Sequence, residues 1–491
     1  MPPKGDIRNM VDQIPMFDTH QHAAGYDWGI PPDDKAGRSL PQIIFNDYLL
    51  YLQGAARHKG PSLISSAFPI EKAEEHWAAG RELLENLRPL TTYRALRIGF
   101  KDLYGFEGDD ITDDNWKELN DKVVRTYQTH GERRWLAKTL KRANVSRIVQ
   151  FCNLPYVVDH WNELNDEDRN LEKSFIRPSL FADVYACIGE NDDKRKARAR
   201  TFEIIGLQPA SFTEYREAIQ KSVARFREAG GVGIKFLAAY FRDIFFDQVP
   251  EEEARAIYER GPDNATPSEH RRLEDHLVWH LVRCASESGL AVSFHTAYST
   301  PASRGDPSQL LNLISAFSNV PFDLCHAAWP YAGEHAIMAR SFANVYFNFA
   351  WTPLLSASLA KRQLSEMLEI IPANKMLLGL DTGTAESCYG AALLTRRMLA
   401  EVLAEKVADG AFAFHDAEVV AHRLLRDNAE EVFGSAEAPV GSLLGSARPE
   451  EQPTVPPIPQ DSMEFREDGQ RLLQYCAKTT RRRFGTWRGK K

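Results

Sequence analysis

Ile-Pro-Met-Phe-Asp-Thr-His-Gln-His, residues 14–22, is the run on which the reading of this chain turns. Its first five residues read as a short buried strand, and two histidines follow at once. Residues two apart on an extended segment point the same way, so His20 and His22 can offer two imidazoles to one ion. An H-x-H pair alone is a weak signal. It gains force from three other runs that end alike: Phe294-His295, Cys325-His326 and Leu380-Asp381-Thr382.

Working outward, eight short apolar runs recur in order: 14–18, 146–152, 181–189, 231–237, 290–296, 321–326, 344–349 and 375–381. Each is apolar on both faces and bounded by turn or polar residues, as strands inside a parallel sheet should be. Helix-period segments lie between most of them. Residues 212–231 stop at a glycine pair, and 268–289 carry apolar side chains three and four apart. Eight alternations predict an α/β protein with a (β/α)8 TIM barrel; a doubly wound open sheet is the rival. The strand-end chemistry favours closure. Four of the 14 histidines, with one aspartate, sit at the C-terminal ends of predicted strands, and in a barrel those ends meet at one mouth. Imidazoles plus a carboxylate suit a borderline divalent ion. His276 and His280 are four apart on a predicted helix, but they lack the Glu of H-E-x-x-H and read as structural.

A barrel needs about 250 residues, and this chain has 491. Residues 1–25 hold the N-terminus and first strand, and 141–435 the rest of the barrel. Residues 26–140 form a large helical insertion with helices at 41–53, 70–87 and 115–143, either a cap beside the mouth or an oligomer contact. Residues 436–491 are a C-terminal extension, a Pro-rich linker and a tail with six Lys or Arg in its last eleven residues. Sixty basic against 68 acidic residues give a net charge of −8, which argues against a nucleic-acid scaffold. No apolar run reaches membrane length and the start lacks a signal-like apolar core. The six cysteines are scattered without a C-x-x-C pair and read as reduced buried thiols. The expectation is a cytoplasmic protein with no nucleic-acid or membrane partner, forming a homo-oligomer.

The strings FDTHQH (17–22), FHTAY (294–298), CHAAWPYAGEH (325–335), LLGLDTG (377–383) and RLLRDNAEEVFG (423–434) together resemble the amidohydrolase superfamily, in its amidohydrolase-2 branch. Within that branch the chain is most similar to the fungal sporulation-associated, FluG-like group. The match runs in motif order from about residue 14 to 434, leaving out 26–140 and the tail. The resemblance implies one divalent metal, zinc first and manganese second, held by His20, His22, His295 and Asp381. It makes His326 a further ligand or the neighbouring acid/base. It implies a second metal if Lys235, in Gly233-Ile234-Lys235-Phe236, is carbamylated; otherwise Lys235 contacts substrate. Asp381, His326 and His295 are the implied catalytic groups.

Glu190 in CIGEND, read as the end of the third strand, would orient substrate or form a salt bridge. Arg242, with Lys235, would suit a carboxylate substrate, or would be a surface ion pair. Phe241 displaces Arg242 by one position from the group's pattern. Trp329 would line the pocket or pack. The resulting expectation is a metal-dependent hydrolase that uses an activated water to cut an amide-type C–N bond of a small carboxylated molecule. A decarboxylase of an unsaturated or aromatic acid and a uronate isomerase share the same fold and metal set. A catalytically idle binding module is the alternative from another class.

Overall fold

The structure is a computed structural model, and it describes residues 4–23, 37–45, 47–187, 192–261 and 264–434. Eight parallel strands follow one another in sequence order: β1 Met16–Gln21, β2 Val145–Cys152, β3 Ile176–Phe181, β4 Gly233–Phe236, β5 Ala291–Phe294, β6 Phe322–Leu324, β7 Val345–Asn348 and β8 Met376–Leu377. Beyond β8 the chain stays extended against β1. Thr19 N donates to Leu378 O at 3.1 Å, Asp381 N to His20 O at 2.8 Å and His22 N to Thr382 O at 3.2 Å. These bonds join the last strand to the first, so the sheet closes into a TIM barrel and the open-sheet rival is excluded. Strands buried on both faces are what the near-continuous apolar runs require.

The third strand is a correction. It is Ile176–Phe181, not 181–189; Asp183–Ala186 forms a short helix instead. Pro178 hides this strand in the sequence, because a proline counts against an inner strand. Its carbonyl accepts from Val232, one residue before β4 begins. The missing N–H therefore falls where the ladder has no partner to lose. Glu190, read as the end of this strand, lies outside the described residues, as do residues 436–491.

Helices between the strands start and stop where their caps say. Thr266 and Glu269 form a capping box at the head of Pro267–Ser288, and Gly289 closes it at φ 63°. In the insertion, Leu40–Ile44 and a 3-10 turn at Asp47–Leu52 replace the expected single helix at 41–53. Ala73–Leu87 and Trp116–Arg142 follow the sequence pattern, the latter kinked at Gly131. An additional helix, Thr91–Tyr104, was not expected. It lies against Ala385–Ala408, the helix after β8, closely enough that a Cβ on Gly99 would sit 2.6 Å from Glu386 O and one on Gly390 would sit 1.9 Å from Ala95 O. Glycine at both contacts lets the two backbones meet. Glu386, fully buried, accepts from Tyr104 and Tyr127 hydroxyls and from Trp135 Nε1 at 2.9 Å. The insertion is thus keyed to the barrel by a satisfied carboxylate as well as by apolar packing.

Candidate metal centre

Asp18 sets the geometry at the end of β1. Its fully buried carboxylate accepts from His20 N (3.1 Å), Gln21 Nε2 (3.1 Å) and, across the barrel seam, Leu380 N (2.8 Å). Burial pushes this carboxyl up to about 8, against the pull of those backbone donors. By holding β1 to the segment after β8, it brings His20, His22 and Asp381 together. Asp381 has φ 55° and His326 φ 67°, so each leaves its strand through a left-handed residue.

Asp381 Oδ2 lies 3.7 Å from His20 Nε2 and 3.5 Å from His326 Nδ1, while Oδ1 lies 3.5 Å from His22 Nε2. Donors on one tetrahedral ion stand roughly 3.4 Å apart for bonds of about 2.1 Å. The spacings of Asp381 to His20 and His22 fit a zinc-like ion. His20, His22 and Asp381 form one group of mutually close donor atoms, and His20, Cys325 and His326 form a second. Burial, first of all, and then Lys235 and the neighbouring imidazoles hold His20 well below the ordinary histidine range; burial and Lys235 do the same for His295, and burial, His295 and Lys235 for His326. The rings are therefore neutral near pH 7 and keep lone pairs for a metal.

The hydrogen bonds assign those lone pairs. Ala350 O can only accept, so the His326 Nδ1 facing it at 3.2 Å carries the proton and His326 Nε2 carries the lone pair. That lone pair takes the proton of His295 Nδ1 at 2.9 Å. His295 Nε2 is left as a lone pair, buried and without a hydrogen bond among the described residues; His20 Nδ1 also has no hydrogen bond there. A buried imidazole nitrogen without a partner is costly unless something binds it. The His20, His22 and Asp381 donors thus fit a divalent metal, while His295 Nε2 is buried without a hydrogen bond and His326 is held by its neighbours.

Beneath the cluster, fully buried Lys235 donates to Cys325 Sγ at 3.0 Å and its ammonium stands 4.9 Å over the Phe151 ring. Lower still, Asp323 accepts from Asn348 Nδ2 and Ser293 Oγ, both at 2.8 Å, and Asn348 reaches Thr19 Oγ1 at 3.0 Å. This closed polar layer fixes the floor of the site. The ring of Tyr240 covers His295 with centroids 4.2 Å apart. Trp329, 37% exposed, stacks on Tyr298, whose ring also meets Trp351. Arg242 is drawn away to Glu274 (2.9 Å) and Asp275 (2.5 Å) and lies over Phe246. It borders a cavity of about 440 Å³ with Asp183, Cys187, Phe241, Arg271 and Glu274, a cavity that none of the clustered imidazoles lines. His276 and His280 bond the carbonyls of Val249 and Arg216, the structural role expected of them.

The family model described as Amidohydrolase matches residues 187–435, just over half of the chain. The chain belongs to the amidohydrolase family. Among curated proteins it is 28% identical over 145 residues to "Protein fluG" of Emericella nidulans, covering 29% of this chain and 17% of that protein. It is 24% identical over 260 residues to a uronate isomerase of Cutibacterium acnes, covering 48% of this chain and 54% of that one. The chain thus spans well under two thirds of either relative. Among solved structures, a uronate isomerase of Thermotoga maritima superposes with a TM-score of 0.69 at 16% identity, over 88% of this chain and 97% of that one. At that identity the likeness establishes the barrel alone. Members of the amidohydrolase family are generally divalent-metal enzymes acting on small molecules. No helix among the described residues is long and apolar enough to cross a membrane.

Proposed function

We propose that this amidohydrolase cleaves a C–N bond, of amide type, in a small carboxylated molecule. The observation that carries the reading is Asp381, whose two oxygens face three imidazoles at 3.5–3.7 Å at the barrel mouth. His20, His22, His295 and Asp381 would hold one divalent ion, zinc before manganese. When bound, such an ion supplies a water acidified to about neutral pH and polarises a carbonyl. Asp381 would take the proton from that water and pass it to the leaving nitrogen. His326, whose Nδ1–H goes to Ala350 O and whose Nε2 accepts from His295, would hold the His295 ring so that its Nε2 is offered to the ion. Tyr240 and Trp329 would flank the substrate, and Lys235 would support the floor. Arg242, tied to Glu274 and Asp275, is not part of the carboxylate grip in this reading.

A second reading, aldose–ketose isomerisation of a uronate, is favoured by the Cutibacterium acnes relative, which aligns over 48% of this chain. Metal-loaded enzyme incubated with N-acyl amino acids, γ-glutamyl amides and uronates separates the two. Release of ammonia, an amine or an amino acid supports hydrolysis. An aldose-to-ketose change without such release replaces it with isomerisation, and carbon dioxide release replaces it with decarboxylation.

A further inference from the structure

The carboxylate of the proposed substrate calls for a cation, and Arg242 does not supply it. Five loops leave the mouth ends of β4 to β8: 237–250, 295–310, 325–331, 349–356 and 378–384. Arg242 and Arg304 are the only Lys or Arg on them. Arg242 is neutralised by Glu274 and Asp275. Arg304, half-buried, makes no ion pair among the described residues. Asp306, two residues along, caps its own turn instead, its Oδ1 accepting from Ser308 N at 2.9 Å and Ser308 Oγ at 2.6 Å. One nitrogen of the Arg304 guanidinium, Nη1, donates to Tyr240 O at 3.3 Å and to Thr300 O at 3.2 Å. Nε and Nη2 have no acceptor among the described residues, and their N–H groups form one edge of the fork that matches a carboxylate. The ring of Tyr240 covers His295, so this guanidinium stands at the rim of the mouth that holds the imidazoles. That rim is otherwise apolar, with Tyr240, Tyr298 and Trp329 exposed by 48%, 44% and 37%.

We infer that Arg304 binds the substrate's carboxylate through Nε and Nη2, and that it, rather than Arg242, selects a carboxylated substrate at this mouth. The inference rests on the small carboxylated substrate proposed above and names the residue that recognises it. Tyr240 O belongs to the loop after β4 and Thr300 O to the loop after β5, so Nη1 is held from two sides. The plane of the fork is thereby set before a ligand arrives, and less side-chain freedom is lost on binding. Rings beside the guanidinium keep water from part of its surroundings, which strengthens a charge-assisted hydrogen bond. The same rings suit a carboxylate carried on an apolar or aromatic body. Arg304 touches the carboxylate and not the bond that breaks, so its loss acts on binding more than on turnover.

The test compares carboxylates with their uncharged esters. Zinc-loaded full-length protein, as wild type, Arg304→Gln and Arg304→Lys, is titrated calorimetrically with N-acetyl-L-phenylalanine, L-γ-glutamylanilide and D-glucuronate, each beside its methyl ester, and turnover is followed in parallel. Wild type should bind at least one carboxylate about ten- to a hundredfold more tightly than its ester, and Arg304→Gln should lose that preference. KM for a hydrolysed amide should rise by a like factor in Arg304→Gln, with kcat changing far less. Arg304→Lys keeps the charge without the fork and should recover only part of the preference. No preference for any carboxylate in wild type, or a preference undiminished in Arg304→Gln, overturns the inference; amide hydrolysis seen alongside leaves the hydrolase reading standing. A preference lost in Arg304→Gln with no amide hydrolysed supports the grip by Arg304 and removes the amide reading. Should Arg304→Gln fail to fold, Arg304→Lys decides, because an undiminished preference there overturns the inference.

Discussion

Asp381 is where the proposed chemistry concentrates. It faces His20, His22 and His326, it leaves its strand at φ 55°, and its own N–H is fixed to His20 O. Replacement Asp381→Asn keeps the shape and removes the charge and the proton acceptor. Turnover should fall by about a hundredfold or more, the usual worth of a positioned acid or base. Turnover within about tenfold of wild type would remove Asp381 from that role. The histidines and this aspartate were legible because each stands at or near the C-terminal end of a strand. Cys325 was read only as a reduced buried thiol, and its place beside His20 and His326 needed the fold. Asp18 was visible as part of the motif. Its hold on Leu380, 362 residues away, needed the closed barrel.

Element by element, the strands were readable wherever burial on both faces made the sequence uniformly apolar. The exceptions have single causes. Pro178 masks β3, and Gly99 weakens the helical pattern of Thr91–Tyr104 because that residue serves the contact with Ala385–Ala408 rather than its own helix. The same contact yields a prediction. Gly390→Ala would press a methyl into Ala95 O, so unfolding free energy should drop by about 1–3 kcal/mol, read from denaturant midpoints at unchanged slope. An unchanged midpoint would mean that the two helices are not in close contact.

Lys375, in the turn leading into β8, gives a second prediction. It is 8% exposed, it donates to Ala343 O, its ammonium stands 4.0 Å over Tyr346, and burial lowers it from 10.5 to about 7. Between those values the unfolded chain binds the proton and the folded one does not. Stability from this group therefore rises as pH climbs from 7 toward 10.5, by at most about 1.4 kcal/mol per pH unit. Lys375→Met should lack that slope in paired denaturant titrations; parallel pH profiles for the two proteins would contradict the assignment.

For the molecule as a whole, order of strands, closure and a metal-binding mouth form one argument. A sequence pattern of eight alternations is compatible with an open sheet. The bonds from Thr19, His22 and Asp381 across the β1–β8 seam make it a barrel and thereby make neighbours of histidines more than 300 residues apart. The placement of the insertion was less legible, because Glu386 and its partners Tyr104, Tyr127 and Trp135 come from segments that carry no local sign of meeting. The central claim is the metal, and metal content per chain tests it most directly. Protein purified without chelator should carry about one equivalent of zinc by plasma mass spectrometry, and His22→Ala should lose it. Wild-type protein that holds no metal, even after reconstitution with zinc, cobalt or manganese, would contradict the account.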